Sequence, residues 1–317
     1  MEPRLTRRRA FAVVAGFGAM AAGIRAQAAT TLEWRGTALG ADATIIFANA
    51  DRHHCELALK SIRAEIERLE RIFSLHLSSS EISQLNNLGI LREPSFDMQA
   101  LLTQSLLMHQ ATEGLFDPTV QAIWEFQRSS AASFGGAGTS VPREVLERID
   151  FETVSITSSR IAMRAGMSLT LNGIAQGYIT DRIADILRDR GWRDVLIDLG
   201  EARALEGRSF DVAIREADRR ITLANAALAT SSSAPLPSAA GKDLPHLFNP
   251  RTGSAAASDW KTLTVRHPSA AVADALSTAL ILCGPDDTEM AQRILSRFPA
   301  TKTWITRPEK GDIIFES

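Results

Sequence analysis

The chain has 317 residues, with 35 Lys and Arg against 37 Asp and Glu, a formal net charge of −2 and a 45% hydrophobic content. A near-neutral balance without a basic stripe interleaved with aromatics argues against a nucleic-acid partner, and beyond residue 30 no apolar run reaches the roughly 20 residues of a membrane span. Cys55 and Cys283 fall in amphipathic or apolar patterns, where a buried free thiol is expected rather than a functional cysteine.

The first element is not expected to belong to the fold. Arg7, Arg8 and Arg9, then Phe11, then an Ala-rich apolar run to Ile24 and Ala26-Gln27-Ala28 have the order of a twin-arginine export signal, cleaved near Ala28. The run is shorter than the roughly 20 residues of a span and Arg25 follows it closely, so an uncleaved anchor is the weaker reading. Residues 1–28 are therefore expected to be removed and 29–317 to form one domain in a bacterial periplasm.

Thr31–Ala48 reads as two strands around a turn at Gly36 to Gly40, and Glu56–Phe73 as a helix whose stripe is Leu57, Leu59, Ile62, Ile66, Leu69 and Ile72. Ser80 has the look of a cap before a short helix ending near Asn86. Asp97–Thr112 and Val120–Phe126 are predicted helical, and the Ser, Gly and Ala-rich stretch Ser129–Thr139 a surface loop. Short strands in Val154–Leu171 precede a helix over Gly173–Arg190. Strands follow at Asp194–Leu199, Phe210–Ile214, Ala227–Thr230 and Trp260–Val265, then a helix over Val272–Leu282 and a closing helix, strand and tail. Strands and helices interleave without a regular β-α repeat, which predicts a single mixed α+β domain with antiparallel sheets packed against helices.

One helix carries chemistry. In ADALSTA (273–279), Ser277 lies three residues and Thr278 four residues after Asp274, so one face holds a carboxylate and two hydroxyls. Such oxygen ligands suit Mg²⁺, which takes one or two carboxylates and leaves its other positions to water and substrate phosphates. A helix cap with buried hydroxyls has the same pattern, and this helix alone does not separate the two readings.

Other segments add to it in order: ALGADATI (38–45), FSLHLSSSEISQLN (73–86), GLFDPTV (114–120), LTLNGIAQGYITD (169–181), VLIDLGEARA (195–204), LATSS (228–232) and HLFNPRTG (246–253). In this series the chain resembles the ApbE-type FAD:protein FMN transferases over nearly all of its length beyond the signal. The resemblance implies a Mg²⁺-dependent reaction with FAD as substrate, in which a Thr or Ser hydroxyl of an acceptor flavoprotein attacks the FMN-side phosphorus and AMP leaves. Two other outcomes use the same residues: an FAD pyrophosphatase giving FMN and AMP, and a flavin-binding or delivery protein that does no chemistry.

The resemblance also implies roles. Asp274, Ser277, Thr278 and the carbonyl of Gly173 stand where the family places metal ligands, and His246 where it has an essential histidine near the reacting phosphate. Leu39, His76, Leu115, Phe116, Asp117, Thr170 and Gln176 stand at ligand-contacting positions. Several differ from the usual residue: Ser277 replaces an Asp, Asn249 an Asp, Leu39 a Met, His76 a ring that stacks on the ligand, Thr170 an Asp and Gln176 a Lys. Gln176 with Asn172 is similar to the exported branch associated with nitrous-oxide reductase maturation, where the acceptor is the periplasmic domain of a membrane electron-transfer protein.

Overall fold

The structure, a computed structural model, describes residues 11–13, 31–134, 140–214, 219–237, 243–256, 259–307 and 310–317. Most of the expected export signal lies outside the described residues. Phe11–Val13 alone is described there, as a short strand paired antiparallel with Val212–Ile214.

Eight strands form one antiparallel sheet in which spatial order follows chain order: β1 (Leu32–Ala38), β2 (Ala41–Phe47), β3 (Val195–Asp198), β4 (Ala202–Ala204), β5 (Ala226–Ser232), β6 (Thr262–His267), β7 (Lys302–Arg307) and β8 (Lys310–Glu316). The helices are carried by the long connections of this meander. Between β2 and β3 run α1 (Arg52–Phe73), α2 (Glu81–Leu88), α3 (Phe96–Ala111), α4 (Gln121–Phe134) and α5 (Ala175–Asp189). Between β6 and β7 run α6 (Ala270–Leu280) and α7 (Thr288–Leu295). The fold is a mixed α/β single domain built on antiparallel sheet.

Strand alternation gives the sheet two apolar faces. Ile45, Phe47, Val195 and Ile197 face the helices and join Ile62, Leu69, Ile179, Ile183, Leu276 and Leu280 in the main core. Ile46, Leu196, Ala204 and Leu228 face the other way and are covered by the hairpin Phe210–Ile214 and Arg219–Leu223, through Phe210, Val212 and Leu223.

Local chemistry sets the helix ends. Asp51 caps α1 by accepting from the His54 N–H at 3.1 Å, and Ser80 caps α2 before Gly89 ends it in the left-handed region at φ 69°. Leu57, expected on the buried stripe of α1, is instead 55% exposed. Two other differences from the sequence reading are larger. The predicted loop at Ser129–Thr139 is helical to Phe134, since Ala131 and Ala132 favour the helix and the Ser129 hydroxyl is accommodated by bonding back to the carbonyls of Glu125 and Phe126; residues 135–139 lie outside the described residues. The closing tail is β8, paired with β7.

Candidate functional site

The centre of the candidate site is the contact between α5 and α6. Gly177 sits where any side chain would press on the carbonyl of Ala270, so glycine lets the two backbones meet. The Gly177 N–H donates to Oδ2 of Asp274 at 3.2 Å, and Asp274 is 1% exposed. One turn further along α6, Thr278 packs on Gly173, where a Cβ would lie 2.9 Å from the Thr278 Oγ1. Gly173, Asp274 and Thr278 therefore converge. Ser277 faces elsewhere: its hydroxyl bonds to Ser231 of β5 at 2.8 Å and donates to the Asp274 carbonyl at 3.0 Å.

Gln176 is buried next to this corner. Its carboxamide packs on Gly200, which is held at φ 105°, with Nε2 3.5 Å from the Leu199 carbonyl, and among the described residues its Oε1 has no hydrogen-bond partner. Asp198, just before that turn, receives the Gly200 N–H at 3.1 Å, yet burial pushes its carboxyl up to about 6.

The segment leading into α5 is fixed from two sides. The side chain of Asn86 grips Leu169, accepting its N–H at 2.7 Å and donating to its carbonyl at 2.8 Å, as a neighbouring strand would. The Thr170 N–H donates to the Pro118 carbonyl at 2.9 Å, which sets Thr170 beside the segment holding Leu115, Phe116 and Asp117. Leu115 and Phe116 are buried in the main core. Asp117 is buried too, with Oδ1 accepting the Thr119 N–H at 2.7 Å and Oδ2 3.5 Å from Nδ1 of His109; burial pushes its carboxyl up.

His246 is half-buried, shortly before a tight turn from Asn249 to Ser254. The side-chain oxygen of Asn249 accepts the Arg251 N–H at 2.9 Å and closes the turn. Gly253 at φ 72° completes it, and Phe248 anchors the loop in a small cluster with Ala122, Ile123 and Val145. The Arg251 guanidinium bonds to the Glu113 carbonyl, tying this loop to the one that carries Leu115 to Asp117. Glu113 is itself held by Arg293 and Arg297 of the α7 region, which lower its carboxyl to about 2.

Leu39 and His76 lie at the C-terminal end of α1. Leu39 takes φ 47° in the two-residue turn between β1 and β2, and its N–H donates to Glu70 at 2.7 Å. His76 is exposed, in the turns after Ser74. The end of α1 touches α5 through an edge-on contact of Phe73 with Tyr178, ring centroids 5.6 Å apart.

Asn86, Asp181, Ser231 and Arg251 were missed as site-building residues, although each lies within a segment that carried the resemblance. Their partners are backbone groups, hydroxyls and, for Asp181, the Arg203 guanidinium, all distant in sequence, which leaves no local pattern.

Among the described residues there is no cluster of three His, Cys, Asp or Glu side chains. The residues at the corner nevertheless fit Mg²⁺: a buried carboxylate on Asp274, the Thr278 hydroxyl and the nearby Gly173 backbone are hard oxygen donors, few enough to leave positions for water and phosphate. Ser277 is already committed to Ser231 and adds least.

An antiparallel meander with a helix-borne oxygen corner defines the class. Residues 39–300 match the ApbE family, and the chain belongs to it. An FAD:protein FMN transferase of Haemophilus influenzae is 25% identical over 279 residues, 78% of each chain. That of Treponema pallidum is 24% identical over 288 residues, 80% of this chain and 78% of its own. In fold the chain is similar to the ApbE protein of Thermotoga maritima, with a TM-score of 0.75, 23% identity and coverage of 91% of this chain and 97% of that one. The apo flavinyl transferase ApbE of Pseudomonas stutzeri gives a TM-score of 0.72 at 21% identity, covering 90% and 94%.

Proposed function

We propose that the chain is an FAD:protein FMN transferase. The observation that carries the reading is the convergence of Gly173, Asp274 and Thr278 beside buried Gln176, in a member of a family whose similar relatives bear that name. The acceptor's Ser or Thr oxygen forms a bond to the FMN-side phosphorus of FAD, the phosphoanhydride bond to AMP breaks, and AMP leaves with the electron pair. His246 takes the hydroxyl proton. Gln176 and Thr170 orient the substrate by hydrogen bonds, and the loops carrying Leu39 and Leu115 to Asp117 shape its pocket. Asp274, Thr278 and the Gly173 carbonyl would hold Mg²⁺, whose charge would offset that of the pyrophosphate oxygens. The acceptor in this reading is the periplasmic domain of a membrane electron-transfer protein, and the Arg7, Arg8 and Phe11 signal delivers the transferase to the same compartment.

One observation favours a second reading, a flavin carrier: the Ser277 hydroxyl is bonded to Ser231, which leaves Asp274 as the one carboxylate of Asp274, Ser277 and Thr278 for a cation. Incubation with FAD and Mg²⁺, with and without an acceptor domain, separates the readings by AMP release. Acceptor-dependent AMP is the expected result. AMP independent of acceptor identifies a pyrophosphatase, and retained FAD without AMP a carrier.

A further inference from the structure

A carboxylate beside the site that receives several donors belongs to a residue with no role so far, Asp181. Asp181 lies on α5, one turn beyond Gly177, and receives four donors from two other elements. The Ala270 N–H reaches its Oδ1 at 2.9 Å, while the Ala271 N–H and the Ser269 hydroxyl reach Oδ2 at 3.1 and 2.7 Å. Arg203 of β4, itself 8% exposed, pairs with Oδ1.

The first N–H groups of a helix have no partner within it. Ser269, the N-cap of α6, satisfies only Val272, at 3.3 Å, and Asp181 takes the two donors that remain before the Ala273 to Ser269 backbone bond. A carboxylate also opposes the positive end of the helix dipole. The arrangement is more than a cap, because the capping group comes from the helix against which α6 is docked. Positions 177 and 181 share one face of α5. Gly177 sets how closely the helices approach, and its N–H holds Asp274; Asp181 sets the direction and depth at which α6 enters.

We infer that Asp181 is a positioning residue of the site: its carboxylate docks the first turn of α6 onto α5 and so fixes Asp274 and Thr278 opposite Gly173. The inference rests on the transferase reading for its purpose, while its test reads the cation corner directly. Groups that orient metal ligands from behind commonly change metal affinity by about 10- to 100-fold when removed. In the full chain, Mn²⁺ binding followed by electron paramagnetic resonance should therefore weaken about tenfold or more in Asp181→Asn, which keeps the shape but turns an N–H toward backbone donors. The Mg²⁺ concentration for half-maximal AMP release should rise with it, while kcat at saturating Mg²⁺ falls less. If Asp181→Asn does not fold, Ser269→Ala, which removes one of the four donors, should show a smaller shift of the same sign.

Unchanged Mn²⁺ affinity in a folded variant with a lowered thermal midpoint would make Asp181 a purely structural cap and overturn the proposal, as would a parent chain that binds no Mn²⁺. A parent that binds Mn²⁺ but labels no acceptor would instead defeat the transferase reading and leave the positioning role standing.

Discussion

At the scale of single residues, the site is built on buried polar groups, whose burial is unfavourable unless each is hydrogen-bonded or binds a ligand. Asp274 is buried with a backbone N–H as a partner, so Asp274→Ala should remove Mg²⁺-dependent turnover by about a hundredfold or more while a thermal scan still shows a cooperative transition. A collapsed transition would make that carboxylate a fold determinant. Gln176→Lys should tighten FAD binding by up to about tenfold, roughly 1.4 kcal/mol, read by quenching of flavin fluorescence. Unchanged affinity would mean that this side chain does not face the phosphates. Asp198 gives a pH signature. Its folded carboxyl, raised to about 6 from 3.8, binds a proton more tightly than in the unfolded chain. Stability should therefore fall as pH rises from about 4 to about 6, by up to about 3 kcal/mol. Urea titrations across that window should show the slope, and Asp198→Asn should flatten it.

At the scale of elements, the α5–α6 contact is the device that makes the site. Gly177→Ala places a methyl against the Ala270 carbonyl and should destabilise the chain by about 1–3 kcal/mol, measured by denaturant midpoint, with weaker Mn²⁺ binding as the helices part. The helices themselves were largely legible in the sequence, since period-3.6 apolar residues such as Ile179, Ile183 and Leu187 are the ones buried on α5. The end of α4 was not, because Ser129 and the alanines after it carry no apolar period and a Ser, Gly and Ala-rich composition reads as a loop. The shared face of Asp274 and Thr278 on α6 was legible because they are four apart on one helix. Asp181 and Asn86 were not, since each serves backbone groups more than eighty residues away.

At the scale of the whole molecule, a sequential eight-stranded meander acts as a frame from which two long connections bring the site segments together. The strand order could not be read from the sequence: alternation marks a strand but not its neighbour, and the insertion between β2 and β3 exceeds a hundred residues. Both cysteines are free and buried within this frame, and burial pushes the Cys283 thiol up to about 12. A thiol reagent at neutral pH should therefore modify neither in the native chain and both after denaturation. What the assembled site does to an acceptor can be read by intact-mass analysis of a periplasmic acceptor domain after incubation with this chain, FAD and Mg²⁺. The acceptor should gain the mass of one FMN less water, at a Ser or Thr, and gain nothing with His246→Ala. An acceptor of unchanged mass, with FAD intact or merely cleaved, would contradict the transferase reading.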